Sequence, residues 1–572
     1  MRKKKSKTLM ILALMILCAC GNASNKRPNI VLIMFDDLST KFGVYKDKIA
    51  LTPSIDALAA SGITFTRAYA TSPVCSASRS AIITGVYQNI LGTQHHRTKS
   101  IDGSSGGGPI PYEAVPPGYI KAFPELLRRI GYQTVVVGKR DYNFGEPFTV
   151  WDRIATEDDW ISEKTNRPFF AYINLSYTHE GYLWPKSYDE SSIIGGVNRY
   201  RKTILRNREV FKNRADVTNP GDLTLPPYYP DNTIIRKDIA RLYNNIHFLD
   251  GKVNKTIKKL KKYNKYDDTV IIITSDQGDP LPRSKRSLYP SGLQVPLIIK
   301  LPKGKKRVAI LDGIVSLIDI APTVLNLAGA NVPDYLDGLN LLDIDDLKSR
   351  KFVFASSDRM DSIVDRRRTI IGKSYQLIRN FNSNVSLYER RAYQDVLPSM
   401  KFLWREFENS RLNELQSRYF SPSPDVELYD LSADKFSIND LSENKKYRKI
   451  ERKLSHELDE WLSVNDKYGE AHESDMINIM WPNMRQPKTY SPNLKIREND
   501  NYFIVELQPR TQGASIGYSI SPCDDNTPEW KLYIDELKLP LDFEGTLRSK
   551  SIRYGYSESE ETILSRCDTP DI

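Results

Sequence analysis

Asn29-Ile-Val-Leu-Ile-Met-Phe-Asp-Asp37 is the stretch on which the reading of the fold turns. Its apolar run shows no polar alternation and stops abruptly on two carboxylates. A strand buried on both faces needs that pattern, and such strands belong to mostly parallel sheets covered by helices on each side. The stretch therefore predicts an α/β fold. Ligands in open sheets of this kind sit beyond the C-terminal ends of the strands. Asp36 and Asp37 are thus candidate functional residues from the outset.

Working outward, residues 52–62 read as a capped helix ending on Gly62, and 63–70 return as a strand. Residues 123–131 repeat the helix-then-glycine pattern. Further strands are expected at 134–137, 169–175 and 270–274, the last preceded by a helix over 234–263. Lys139 to Asp141, Ser176 to Glu180 and Ser275 to Asp279 each follow a strand end, so four polar clusters should converge on one sheet edge. Two loops, 100–118 and 180–230, are expected to rim a cleft. Residues 27–350 form the large unit on this reading and 351–466 a smaller α+β unit. The latter has a hairpin at Gly372-Lys373, a helix over 393–419 and a last helix over 445–462. A linker (467–485) then leads to short strands at 502–507, 515–519, 530–534 and 546–554, a small β-sandwich within 486–572.

Apolar residues make up 40% and charged residues 27% of the 572, ordinary for a globular chain. The N-terminus carries Arg2, Lys3, Lys4, Lys5 and Lys7 and then an apolar run from Leu9 to Ala19. That is a secretory leader (1–19), too short to span a bilayer. Leu17-Cys-Ala-Cys-Gly21 resembles a bacterial lipoprotein box, which makes Cys20 the lipidated residue and 20–26 a tether. The expectation is an exported lipoprotein at the periplasmic or outer cell surface, touching membrane only through its lipid; a plain cleaved leader is the alternative. Five of the 82 Lys and Arg residues lie in that leader, leaving 77 against 71 acids. This mild bias suits a polyanionic substrate, and no basic-aromatic module points to nucleic acid. Beyond the leader and Cys20 stand Cys75, Cys523 and Cys567, an odd count that marks one thiol as special. Pairing Cys523 with Cys567 would leave Cys75 alone.

Cys75 lies in Thr71-Ser-Pro-Val-Cys-Ser-Ala-Ser-Arg-Ser-Ala-Ile-Ile-Thr-Gly85. If a helix starts near Ser76, Cys75 and Arg79 share one face of its first turn. The unpaired N–H groups there offer an anion site. A nucleophile beside an arginine suits an anionic ester; the other reading is a buried structural Cys with a solvated Arg. Asp36-Asp37 and Asp276-Gln277 offer hard oxygen ligands and no thiolate, a set that suits calcium better than zinc.

These motifs, in this order, resemble the type I sulfatases over about residues 27–465. The Cys75–Gly85 signature matches except that Ala77 stands where most members have Pro. The resemblance implies a large alkaline-phosphatase-like α/β/α sandwich with a smaller C-terminal α+β subdomain and, here, an added C-terminal β-sandwich. It also implies that a formylglycine-generating or anaerobic sulfatase-maturating enzyme converts Cys75 to formylglycine (3-oxoalanine), whose hydrated aldehyde attacks sulfur. Phe35-Asp-Asp-Leu38 and Thr274-Ser-Asp-Gln-Gly-Asp279 resemble the family's metal motifs, which implies Ca2+ held by Asp36, Asp37, Asp276, Gln277 and residue 75. Gly138-Lys139 and Lys285-x-x-Leu-Tyr289 match two lysine motifs. With Arg79 these lysines would stabilise charge on the sulfate, and His179 in Ser176-Tyr-Thr-His-Glu180 would protonate the leaving group.

Asp141 stands where most members carry His. It is expected to bind a sugar hydroxyl or to orient Lys139. Gln94-His-His-Arg97, Lys139-Arg-Asp-Tyr-Asn-Phe144 and Pro226-Pro-Tyr-Tyr-Pro-Asp231 resemble a polysaccharide-degrading bacterial branch, ulvan and heparan N-sulfatase-like. His95, His96, Arg97, Asp141, Glu180, Asp231 and Arg286 are then the expected contacts to a sulfated polysaccharide or oligosaccharide. Arg97 is suited to pairing a uronate bidentately. Gly513-Ala-Ser-Ile-Gly-Tyr518 and the stretch 546–555 resemble a small module of some hexosaminidases. The alternatives are a heparan-type N-sulfoglucosamine sulfohydrolase, a phosphonate or phosphate ester hydrolase of the same superfamily, and an inactive glycan-binding lipoprotein.

Overall fold

The computed structural model describes residues 27–99, 106–184, 197–305, 307–523 and 527–567. The expected leader, the Cys20 lipidation site and the tether lie outside these residues. Eight strands form the main sheet: β1 Asn29–Phe35, β2 Ile63–Tyr69, β3 Gln133–Val137, β4 Arg153–Ala155, β5 Phe169–Leu175, β6 Thr269–Ser275, β7 Gln294–Lys300 and β8 Ala309–Ser316. Their order is β4-β3-β5-β1-β6-β7-β2-β8. β1 is parallel to β5 and β6, and β3 is parallel to β5. β7 runs antiparallel to both of its neighbours.

The unbroken apolar run of β1 is explained by what covers it. Val31, Ile33 and Phe35 face one core with Ile246 and Leu249 of the helix Thr233–Lys262. Ile30, Leu32 and Met34 face a second core with Ile82 of the helix Cys75–Thr84 and Val324 of the helix Ile320–Ala328. All six strand residues are fully buried, each contributing about 1.5–3 kcal/mol. The sandwich is held from both sides, and the ends of four adjacent parallel strands are left to carry chemistry.

A four-stranded antiparallel sheet follows, with Arg367–Ile371 and Tyr375–Asn380 forming the expected hairpin. The single helix expected over 393–419 is broken. It runs over Pro398–Glu408, then Ser410 turns left-handed (φ 54°) and Asn413 caps a new short turn, Glu414–Ser417. Polar Asn-Ser and Asn residues compete for the backbone there. The last helix starts where expected, as a 3-10 turn over Lys445–Tyr447, and continues as Arg448–Asn465, past the expected end. Within the stretch read as a linker is a helix, Glu473–Met480, whose Met476, Ile477 and Met480 pack on Tyr112 and Ala114.

The C-terminal strands form two sheets, of three and four strands, around Val505, Leu507, Ile516, Leu539 and Leu547. Asn493–Glu498, Leu537–Pro540 and Thr562–Arg566 add to the strands read from sequence. Tyr554 of this unit stacks on Phe144 at 5.2 Å, in the loop that follows Lys139. Cys523 and Cys567 are disulfide-bonded and Cys75 is free and buried. The bond joins residues 44 apart, so replacing both cysteines with Ser should cost about 2–4 kcal/mol. A denaturant midpoint unchanged by that replacement would contradict the bond.

Candidate active site

Four chain segments meet where β3, β5, β1 and β6 end. Gly138, at φ 77°, turns the chain out of β3 toward Lys139; a Cβ there would come 3.0 Å from the Asn174 carbonyl oxygen. Cys75 is the first residue of its helix, and every residue of that helix is buried. Its sulfur lies 3.7 Å from Asp37 Oδ1, 3.3 Å from Gln277 Nε2 and 3.5 Å from Lys285 Nζ. Burial pushes the thiol up to about 11, so with these neighbours it stays protonated at neutral pH and is a poor nucleophile as it stands.

Arg79, on the same helix face, is wholly buried and organises the acids. Its Nε donates to Asp276 Oδ2 at 2.8 Å, its Nη2 to Asp36, and its Nη1 to Asn174 and to the Tyr172 hydroxyl. Lys139 Nζ reaches Asp36 Oδ1 at 3.2 Å and Asp141 Oδ2 at 3.3 Å. Lys285 Nζ lies 2.8 and 2.6 Å from the two oxygens of Asp37. Burial works against both ammonium groups, but Asp36 with Cys75 and Asp141 for Lys139, and Asp37 with Cys75 and Glu180 for Lys285, together outweigh it, and both are held above the ordinary lysine range. Burial of Asp36 is likewise outweighed, by Arg79 and Lys139, and its carboxyl is held well below the usual range. Asp276 moves the other way, raised by burial with Asp36 adding to it. Crowded carboxylates of this kind are relieved by a bound cation.

The donor set fits one. Asp36 Oδ2 and Gln277 Oε1 are buried without a partner, and Asp36, Cys75 and Asp276 present ligand atoms within 4.8 Å of one another. Gln277 turns its nitrogen to Asp37 and Cys75; a half-turn of the amide would aim its oxygen at the same point. Oxygen donors with no histidine among Asp36, Asp37, Asp276 and Gln277 suit a hard cation such as Ca2+.

His179 follows β5, and its Nδ1 accepts the Gly181 N–H at 3.2 Å. That leaves the ring proton on Nε2. Burial, with Lys285 and Lys139 nearby, pushes the imidazole well below its ordinary value, so it is neutral. Glu180 donates its N–H to Asp37 Oδ2 at 2.7 Å and takes both terminal nitrogens of Arg286 at 3.1 and 3.0 Å.

The residues expected to touch sugar separate into three groups. Arg97 and Asp141 are partly exposed and face each other at 3.5 Å; both have left-handed backbones, φ 45° and 56°. Their strain suits a functional position. His95, His96, Glu180 and Arg286 are buried beneath the rim. His95 Nδ1 accepts the Arg359 N–H, His96 pairs with Asp361 Oδ1 at 3.0 Å, and Arg286 Nε donates to Asp361 Oδ2 at 2.7 Å. Burial lowers both histidines to about 4. Asp231, by contrast, is exposed and paired with Arg236, and it shares no bond with the cluster among the described residues. It stands just before Asn232, which caps the Thr233–Lys262 helix.

Sequence reading missed Asn174, Asp361 and Tyr393. Asn174 had a signal, as a polar residue inside the apolar run of β5. Asp361 and Tyr393, from the smaller C-terminal unit, had none.

The sulfatase family model matches residues 28–160 and 154–330, and the model described as N-sulphoglucosamine sulphohydrolase, C-terminal, matches 283–396. An ulvan-active sulfatase of Formosa agariphila is 31% identical over 558 residues, covering 95% of this chain and 92% of its own. The human N-sulphoglucosamine sulphohydrolase is 24% identical over 78% of this chain and 92% of its own. A solved structure in complex with its substrate D-glucosamine-2-N,6-O-disulfate superposes with a TM-score of 0.52 at 18% identity, over 78% of this chain and 99% of that one, a likeness of fold.

Proposed function

The chain belongs to the sulfatase family and is a sulfuric ester hydrolase, and from that premise we propose that it releases sulfate from a sulfated polysaccharide or its oligosaccharides, an ulvan-type algal glycan first. The observation that carries the chemistry is the buried Cys75 thiol at a helix start, ringed by Lys285, Arg79 and Lys139 in one acid-rich cluster. The ulvan-active relative, similar over nearly the whole chain, supports the choice of glycan.

Oxidised to formylglycine by a maturing enzyme, residue 75 would supply a hydrated aldehyde as nucleophile. Asp36, Asp37, Asp276 and Gln277 would hold calcium, which supplies positive charge toward the sulfate oxygens. This chain's own groups do the rest. Arg79 keeps Asp36 and Asp276 in place, and Lys139 and Lys285 hold fixed positive charge where negative charge grows in the transition state. His179, with Nδ1 already engaged, presents its Nε2 proton to the departing sugar oxygen. Arg97 and Asp141 stand at the rim for the sugar. Exported as a lipoprotein through Cys20, the protein would meet its glycan at the cell surface.

A sulfate-release screen over ulvan, carrageenan and heparan oligosaccharides tests the reading; release from none of them would sink it. The match of 283–396 to the N-sulphoglucosamine sulphohydrolase model favours heparan-type N-sulfate as the second substrate to try. Chelation should abolish turnover and added calcium should restore it. Restoration by zinc alone would argue for phosphate ester chemistry instead.

A further inference from the structure

Most of the buried arginines are matched by acids. Arg79 has Asp36 and Asp276, Arg286 has Glu180 and Asp361, Arg359 has Glu473, and Arg368 has Asp358 and Asp466. Arg283 has no acid, but the rings of Tyr228, Tyr289 and Tyr419 enclose it at 4.4, 3.9 and 4.7 Å. Arg391 has neither. It is 6% exposed, and its Nη1 donates only to the Leu387 and Glu389 carbonyls, at 3.2 and 3.4 Å. Its Nε is buried without a partner, and it forms no ion pair or ring contact among the described residues. Burying a guanidinium without an anion is costly. Burial, with the like charge of Arg286, pushes this one down to about 10.

Its position gives that cost a purpose. Arg391 stands two residues before Tyr393, whose ring meets His179 at 6.3 Å and Trp184 at 4.6 Å between centroids. The Tyr393 hydroxyl closes over Gly181, on the turn that carries His179. On the other side lies Asp361, which feels the charge of Arg391. Both Asp361 oxygens are already engaged, by His96 and Arg286, and no ion pair joins Asp361 to Arg391 among the described residues. Arg97, the arginine expected from sequence to take a sugar carboxylate, already faces Asp141. A buried arginine with an unpartnered Nε, two residues from the Tyr393 that meets His179 and within reach of the charges of Arg286 and Asp361, is suited to receive an oxyanion from outside the chain.

We propose that Arg391 is a second anion-binding point of the cleft, taking an oxyanion of the substrate other than the scissile sulfate: a uronate carboxylate or a second sulfate on the same saccharide. This rests on the glycan sulfatase reading. It deepens that reading by making the substrate at least doubly anionic.

The test compares wild type with Arg391→Met and Arg391→Lys on three saccharides: a sulfated uronate-containing disaccharide, its carboxyl-reduced counterpart, and a neutral disaccharide with two sulfates. The expected result is a KM for the uronate substrate raised about 10- to 100-fold in Arg391→Met, with kcat changed far less. Arg391→Lys should lie between, because it keeps the charge without the fork. Carboxyl reduction should remove most of the difference between wild type and variant. A KM effect confined to the disulfated saccharide would identify the second sulfate as the ligand. Equal losses on all three, with or without a lowered melting temperature, would overturn the proposal and leave Arg391 as a brace for the 387–391 turn. Should Arg391→Met fail to fold, Arg391→Lys is read on the same three substrates. Calorimetric titration with the sulfate-free uronate disaccharide keeps the two ideas apart. Wild type that releases no sulfate from any glycan sinks the parent reading, while titrations identical in wild type and Arg391→Lys, together with an unchanged KM on the disulfated saccharide, sink this one alone.

Discussion

Cys75→Ala is expected to lower sulfate release on the order of 10^4-fold or more, because it removes the covalent nucleophile and leaves only binding and charge stabilisation. The fold should survive. One buried sulfur is lost from the start of a helix whose other contacts remain, at about 1 kcal/mol. In active wild-type protein the Cys75 peptide should have lost its sulfur and gained an oxygen by mass spectrometry. That conversion is the more decisive measurement, since burial leaves the unmodified thiol protonated at neutral pH. Full activity with an intact thiol would end the formylglycine mechanism.

The largest effect on stability should come from Arg79→Ala. Arg79 is 0% exposed and bridges Asp36 and Asp276, themselves 1% and 0% exposed. Its removal leaves two buried carboxylates with the charge of Lys139 alone nearby. Breaking a buried pair from one side costs about 3–5 kcal/mol, which should be read as a lowered denaturant midpoint with an unchanged slope. Added calcium should restore part of the loss, because a cation among the same acids substitutes for the missing charge. A midpoint within experimental error of wild type would mean that the acids are protonated or solvated, against the arrangement described here. Activity should fall as well, since Arg79 fixes the acids expected to hold the cation.

How much of this was legible in the chain divides along physical lines. The apolar run of β1, the glycine-terminated helices and the strand-end acids are local signals, and each depends only on near neighbours in sequence. They predicted a mostly parallel sheet with Asp36, Asp37, Lys139, His179 and Asp276 at one edge, and that is where the structure brings them. The C-terminal half was harder. The 393–419 segment carries an apolar spacing that reads as one helix, but Pro398 starts the α-helix late and Ser410 and Asn413 end it early, signals that apolar spacing alone did not weigh correctly. The helix Glu473–Met480 is too short to show a period and is held by packing on Tyr112 and Ala114, more than 350 residues earlier in the chain.

The sequence by itself determined most elements of the main sheet and the order of the strand-end motifs, and it pointed to the family. What only the tertiary structure decided is who stands beside whom. Asp231 reads as a rim residue in its motif and is paired with Arg236, a partner its motif does not reveal. Asn174 turns out to be a partner of Arg79, and Asp361 and Tyr393 reach the cleft from the smaller unit without any local mark. Arg391 is ordinary as a letter; that it is buried without a counter-charge appears only once the chain has folded. The reason is that burial and charge pairing are set by distances across the fold, which sequence spacing does not encode, whereas periodicity, turns and caps are set by the chain's own neighbours.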